Sequence, residues 1–154
     1  MIHTLEPVIK EHPFFAEMPE RHLEFITGCA KNAQFAEGQI IFREGDSANE
    51  FYFLREGLVS VDLLIPSRGA TTIQTVGAGE ILGWSWVSPP YQWRFGARAL
   101  QHTRALVFDA KCLRNKCEED HDLGYELLSR FVGVISNRLE ATRLQLLDLY
   151  GRHD

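Results

Sequence analysis

The chain has 154 residues, of which 45% are hydrophobic and 24% are charged, and its formal net charge is -5. This length suits one domain with a substantial core, and this composition excludes disordered and fibrous proteins. The negative charge disfavours non-specific binding to nucleic acid or to an anionic membrane surface, because both of these partners are themselves negative.

The sequence also carries signals about the compartment. The first residues have neither the basic region nor the apolar region of a secretory signal. No apolar run approaches the roughly 20 residues that cross a bilayer. Three scattered cysteines, Cys29, Cys112 and Cys117, are typical of reduced intracellular thiols rather than of a disulfide framework. We therefore expect a cytoplasmic protein that has no membrane segment.

The first element is helical. Between residues 5 and 30, apolar side chains recur at helical spacing, and Pro13 and Pro19 punctuate the segment. Proline is tolerated in the first turn of a helix, so a helix is expected to begin near Pro19. The pattern predicts N-terminal helices within residues 1–31.

From residue 32 to residue 109 the hydrophobic period falls to two, and glycine-containing turns recur. The predicted strands cover residues 34–35, 39–42, 50–55, 59–65, 71–76, 81–82, 93–100 and 103–109. Many short strands between glycine turns are typical of a closed sandwich or barrel. One segment, GWSWVSPPYQW at residues 83–93, interrupts the pattern. Its two consecutive prolines exclude a central strand, so it is predicted to be a loop or a single helical turn.

The last segment, residues 110–154, is predicted to be helical, with a short helix over 111–119 and a long one over 123–150. Asp120 or Asp122 could cap the long helix. A seam with alternating steps of four and three residues runs along it: Leu128, Val132, Ile135, Leu139, Thr142, Leu146 and Leu149. Such a seam predicts a dimer interface, because a helix roughly 42 Å long exceeds the width of a small barrel. The alternative is a helix that lies wholly on its own barrel.

Several segments resemble the cyclic-nucleotide-binding domain. FAEGQIIFREGD at 35–46 is similar to its opening strands, FYFLREGLVSV at 51–61 to its next hairpin, and GAGEILG at 77–83 to the approach to its phosphate cassette. RLEAT at 138–142 resembles the dimer helix of the catabolite activator (Crp/Fnr) branch. The resemblance implies one domain over 1–154: N-terminal helices (1–31), a double-stranded β-helix, also called a jelly roll or β-roll (32–109), and C-terminal helices (110–154).

The family's chemistry lies in its phosphate cassette, where helix amides and an arginine hold the cyclic phosphate and a glutamate binds the ribose. Aligned by its strands, this chain has Gly83 at the cassette glycine, Trp84 in place of the glutamate and Trp93 in place of the arginine. The resemblance makes Gly83, Trp84, Ser85, Trp93, Arg94 and Thr142 the candidate ligand-binding residues. Arg94 would face away from the pocket if a regular strand held both it and Trp93. Thr142 could touch an adenine or fix the register of the seam.

The sequence leaves three alternative hypotheses about the function. The first is a regulatory sensor module with a degenerate cassette, whose pocket is rebuilt for a flatter effector with Trp84, Trp86, Tyr91 and Trp93 as walls. The second is a scaffold whose old pocket the rings fill, so that no ligand binds and a protein partner is recruited. The third is a genuine cAMP- or cGMP-binding domain that uses Arg94 and Thr142.

Other chemistry has little support in the sequence. Ser85 and Ser88 have no histidine and carboxylate nearby, so no catalytic residue and no enzyme activity are expected. Cys112, Cys117 and His121 do not have the spacing of a metal site. No helix-turn-helix follows the long helix, so direct DNA binding is not expected. The expected partners are a second copy, a small effector and an unidentified protein. No cofactor is expected beyond a cyclic nucleotide or another small effector.

Overall fold

The computed structural model describes residues 8–9 and 12–151, so parts of the predicted N-terminal and C-terminal segments, residues 1–7, 10–11 and 152–154, lie outside it. A 3-10 turn at Pro13–Phe15 precedes α1 (Glu20–Gly28). Eight strands follow: β1 (Ala30–Phe35), β2 (Ile40–Phe42), β3 (Glu50–Glu56), β4 (Leu58–Ile65), β5 (Gly69–Gly77), β6 (Ile81–Leu82), β7 (Gly96–Ala99) and β8 (Thr103–Asp109). Two helices end the described chain: α2 (Ala110–Glu119) and α3 (His121–Gly151).

The strands form two antiparallel four-stranded sheets. Their orders are β1-β8-β3-β6 and β2-β7-β4-β5, so each sheet alternates early and late strands of the chain. This is the strand order of a jelly roll, in which the two inner faces pack against each other. The predicted fold class, mainly β with flanking helices and a long C-terminal helix, is confirmed.

Two predicted strands, 81–82 and 103–109, have the predicted bounds, whereas the strand predicted over 93–100 is wrong at its start. β7 begins only at Gly96 because the backbone of Trp93 pairs elsewhere. Its N–H donates to Asp46 O at 2.9 Å, and its carbonyl accepts from Gly45 N at 2.7 Å. The connection between β2 and β3 therefore holds Trp93 outside the ladder.

The turn between β3 and β4 depends on Gly57. Its φ is +104°, and a Cβ there would lie 2.7 Å from His102 O. Glycine adopts this conformation without a side-chain clash, which a larger residue could not do. The prediction that glycines mark the tight turns of the roll is confirmed here.

An aromatic cluster fastens α3 to the roll. Phe51 of β3 stacks on Phe108 of β8 with ring centroids 4.6 Å apart, and on Trp86 at 5.3 Å. Phe131 of α3 meets Phe51 and Trp86 edge-on, each at 5.1 Å. Edge-to-face contacts of this kind add to the apolar burial of each ring. Phe14 extends the cluster by an edge contact with Phe131 at 5.0 Å.

The long helix buries one stripe and exposes another. Asp120 Oδ1 accepts from Leu123 N at 3.2 Å and caps it, as predicted for this residue or Asp122. Leu123, Leu127 and Phe131 are at most 1% exposed and pack on the roll. The predicted seam lies about a quarter turn away at 100° per residue. Leu128, Val132, Leu139, Leu146 and Leu149 are 45–61% exposed, and every residue from 139 to 149 is exposed. Helix α3, about 46 Å long, therefore presents an uncovered apolar stripe.

Candidate functional site

The segment between β6 and β7 is an irregular loop, as predicted for its first eleven residues. Residues 83–95 contain no helix and no regular strand. Two backbone bonds, from Val87 N to Trp84 O and from Tyr91 N to Ser88 O, each at 3.1 Å, close two successive turns. Such a segment offers few free amides aligned in one direction, whereas a helix N-terminus offers several.

Trp93 covers the glycine that begins this loop. Its side chain is 3% exposed and stacks on Phe42, with ring centroids 3.7 Å apart and planes 10° from parallel. A Cβ on Gly83 would lie 2.6 Å from Trp93 Cη2, and the φ of Gly83 is +95°. Glycine is therefore required at residue 83 both by its backbone conformation and by the ring that lies against it. The indole occupies the space directly in front of Gly83.

The other rings of the loop have separate neighbours. Trp84 is half-buried and meets Phe95 edge-on at 6.0 Å. Trp86 is 2% exposed and belongs to the aromatic cluster beneath α3. The guanidinium of Arg114 lies 4.0 Å above the Tyr91 ring. Trp86 and Tyr91 instead border a cleft of about 350 Å³ between the loop, α2 and α3. The four rings that were predicted to wall one pocket are thus divided between two places.

The polar candidates are not gathered at Gly83. Ser85 is half-buried in the first turn of the loop. Arg94 is exposed, and it has no hydrogen-bond or ion-pair partner among the described residues. Thr142 is exposed on α3, and its hydroxyl donates to Arg138 O, one turn earlier, at 2.9 Å. This local bond is a common way for threonine to satisfy its hydroxyl within a helix.

Sequence reasoning missed Arg138, which joins α3 to the beginning of the loop. Its Nη2 donates to Ile81 O at 2.9 Å and lies 3.7 Å from Glu80 Oε2. Its guanidinium also lies 5.9 Å from the centre of the Trp84 ring, within the range of a cation–π contact. The side chain is 12% exposed, and this burial lowers the pKa of Arg138, an effect that the charge of Glu80 opposes. Helical periodicity could have identified this residue, because residue 138 lies two turns beyond the buried Phe131 on nearly the same helix face.

Glu80 has a structural role in the turn between β5 and β6. Its Oε1 accepts from Gly77 N at 2.8 Å, while its other carboxylate oxygen faces Arg138. The carboxylate therefore links this turn to α3.

The cyclic nucleotide-binding domain profile matches residues 33–120, which is more than half of the chain and includes all the strands from β2 to β8. The chain belongs to the cyclic nucleotide-binding domain family. This membership agrees with the jelly-roll order of the strands and confirms the resemblance found in the sequence.

Relatives of this cyclic nucleotide-binding domain occur in different kinds of protein. The chain is 25% identical over 142 residues to a protein of Rhodopseudomonas palustris that is named as a potassium channel. The match covers 92% of this chain and 33% of that one. The chain is 20% identical to the CRP-like cAMP-activated global transcriptional regulator of Mycobacterium tuberculosis, over 94% of this chain and 63% of that one. The chain thus spans about a third and just under two thirds of these relatives, neither of which is named as an enzyme.

The crystal structure of a protein from Geobacter metallireducens that is described as cyclic nucleotide-binding shows the same fold. It superposes with a TM-score of 0.77 and 26% identity, over 89% of this chain and 96% of that one. Within the described part of this cyclic nucleotide-binding domain, no group of three or more His, Cys, Asp or Glu side chains could hold a metal ion. None of the helices described here has both the length and the apolarity needed to cross a membrane.

Proposed function

We propose that this chain is a regulatory sensor module whose cassette does not hold a cyclic nucleotide in the family's usual way. The observation that carries the proposal is the Trp93 ring, buried against Phe42 and lying over Gly83. Trp93 stands where the family resemblance expects the phosphate-binding arginine. An indole offers one N–H and no charge, so it cannot replace a guanidinium facing phosphate.

The ribose side of the cassette supports the same proposal. Trp84 stands where the resemblance expects a glutamate, and its ring is engaged by Phe95 and Arg138. Residue 84 therefore has no carboxylate that could accept a hydrogen bond from a ribose hydroxyl. The nearest glutamate in the sequence, Glu80, already accepts from Gly77 N and faces Arg138. A nucleotide entering here would meet aromatic surface where it needs an acceptor.

Regulation requires that the loop and the long helix influence each other, and Arg138 supplies the contact. It connects α3 to the carbonyl of Ile81, to Glu80 and to the Trp84 ring. An effector that displaces the Trp84 ring would change this contact and thereby the position of α3. An effector can shift such an equilibrium only by binding the two arrangements with different affinities.

The output of the module is a dimer formed along α3. The seam residues follow the alternating four- and three-residue steps of a two-stranded coiled coil, and all of them except the half-buried Ile135 are exposed beside the stripe that packs on the roll. A second copy is the occupant that suits this face, because a two-fold axis places identical seams against each other. Thr142 would then be the polar member of the interface.

A genuine cyclic-nucleotide site is the second candidate, and one observation favours it. Arg94 is adjacent to Trp93 in the chain, exposed and without a polar partner in the described structure. A change in the loop that moved Trp93 out would bring a free guanidinium to the phosphate position. This alternative needs the loss of the stack between Trp93 and Phe42.

Equilibrium titration separates the two candidates. We expect no saturable binding of cAMP or cGMP to the wild-type chain, by calorimetry or by thermal shift. A ligand at 100 times its dissociation constant would stabilise the fold by about 2.7 kcal/mol, which a thermal shift detects readily. Saturable cAMP binding that Arg94→Ala abolishes would refute the proposal and support the second candidate. Arg98→Ala is the matched control, since Arg98 is an exposed arginine of β7 that lies 3.8 Å from Asp62.

A further inference from the structure

Two cysteines that are far apart in the sequence lie side by side. The Sγ atoms of Cys29 and Cys112 are 3.7 Å apart, and the Cys29 thiol donates to the Cys112 sulfur. Cys29 is half-buried at the end of α1, and Cys112 is exposed in the first turn of α2. A disulfide has sulfurs about 2.05 Å apart, so the two sulfurs would have to approach each other by about 1.7 Å to be joined.

One residue, Asp109, is hydrogen-bonded to the backbone of both cysteines. Asp109 N donates to Cys29 O at 3.0 Å, and Asp109 Oδ1 accepts from Cys112 N at 2.9 Å. Asp109 thereby caps α2 and fixes its first turn against the end of α1. The adjacent register, Ala30 opposite Phe108, continues into the ladder of β1 and β8. The two thiols are thus close together because α1, α2 and the paired strands β1 and β8 meet at this point of the fold.

A cleft gives small molecules access to this pair. It measures about 570 Å³, and Cys29, Cys112, Lys31, Lys111 and Asn49 are among its lining residues. A half-buried thiol and an exposed thiol at the wall of an open cleft have the arrangement of a resolving and an attacking cysteine.

We propose that Cys29 and Cys112 form a thiol–disulfide exchange site that small organic disulfides oxidise. The Cys112 thiolate attacks one sulfur of the small disulfide, forming a mixed disulfide at Cys112 and releasing one small thiol. Cys29 then loses its proton and attacks Cys112 Sγ, which forms the Cys29–Cys112 bond and releases the second small thiol. Two protein thiols are oxidised, and one small disulfide is reduced to two thiols.

The second step requires the thiolate of Cys29. Burial and the hydrogen bond to Cys112 raise the pKa of Cys29 to about 12, so its thiolate is scarce at neutral pH. Only the thiolate is a competent nucleophile. The conversion of the mixed disulfide to the internal disulfide should therefore accelerate as the pH rises.

The internal bond would tie the end of α1 to the start of α2, around the paired strands β1 and β8. It closes a loop of 83 residues, the difference between positions 29 and 112. A cross-link over a loop this long raises the free energy of the unfolded chain, so the oxidised protein should melt at a higher temperature.

The test is oxidation of the reduced full chain by oxidised glutathione, followed by non-reducing peptide mapping and intact mass. We expect a Cys29–Cys112 cross-linked peptide, the loss of two hydrogens from the intact mass, and full reversal by dithiothreitol. Cys112→Ser should give no cross-link, and Cys29→Ser should retain glutathione on Cys112. Cys117→Ser is the matched control and should behave as the wild type.

Three outcomes would overturn the inference. Glutathione retained on Cys112 of the wild type, as in Cys29→Ser, would show that Cys29 does not resolve the mixed disulfide. A cross-link only between chains, or three unmodified thiols after prolonged treatment, would contradict it equally. The melting temperatures of the reduced and the oxidised wild type provide a readout that does not depend on mapping.

Discussion

Truncating Trp93 should be among the most destabilising changes in the loop, because its ring fills space rather than walling an open pocket. The ring is 3% exposed and stacks on Phe42 at 3.7 Å. A buried tryptophan removes roughly 200 Å² from water, worth about 5 kcal/mol at about 25 cal/mol per Å² as an upper bound. Trp→Ala changes in cores cost about 3–5 kcal/mol. We therefore expect Trp93→Ala to destabilise the fold by about 3–5 kcal/mol, lowering the Tm by about 6–20 °C.

Chemical denaturation followed by circular dichroism measures this free energy, and calorimetry measures the Tm. Trp84→Ala is the matched control, because Trp84 lies in the same loop but is only half-buried, so a loss of about 1–2 kcal/mol is expected. A loss below about 1 kcal/mol for Trp93→Ala would refute the reasoning, since it would mean that the ring lines open space.

The remaining predictions concern the helices. In sedimentation experiments, Ile135→Asp should convert the dimer into a monomer. Glu140→Lys changes a residue off the seam and should leave the dimer intact. A wild-type chain that sediments as a monomer at tens of micromolar would contradict the predicted dimer. Asp109→Ala removes the cap of α2 and should cost about 1 kcal/mol in denaturation, with Asp109→Asn losing less. A backbone hydrogen bond in the first turn of α3, aided by Arg21, lowers the pKa of Asp120. The stability that Asp120 contributes should therefore be present above about pH 4 and be lost as the pH falls below it. Melting profiles of wild type and Asp120→Asn should diverge above that pH and converge below it; profiles parallel throughout would show that the carboxylate contributes nothing.

The roll was predictable because its signals are local. Short apolar runs bounded by polar or glycine residues give β6 and β8 their bounds, and glycines such as Gly57 mark turns that need a positive φ. The strand predicted over 93–100 failed at its start because the backbone of Trp93 pairs with Gly45 and Asp46 instead. That pairing joins residues that are far apart in the sequence, so the periodicity of the strand does not indicate it.

The candidate site was only partly predictable for the same reason. Alignment by strands identified Trp93 and Gly83, which the fold brings into contact. Periodicity alone places Arg138 on the helix face that packs on the roll, but its partners, the Ile81 carbonyl and the Glu80 carboxylate, lie more than 50 residues away in the sequence and could not be predicted from it. The neighbourhood of Cys29 and Cys112 was missed as well, because 82 residues separate them and only the pairing of β1 with β8 closes that distance.

The central claim, that an indole occupies the phosphate position of the cassette, is tested most directly by a crystal structure of the chain at saturating cAMP. We predict an unchanged loop, with the Trp93 ring still stacked on Phe42 and no nucleotide density in front of Gly83. Density for a cyclic phosphate held by the Arg94 guanidinium, with the Trp93 ring displaced, would contradict the claim.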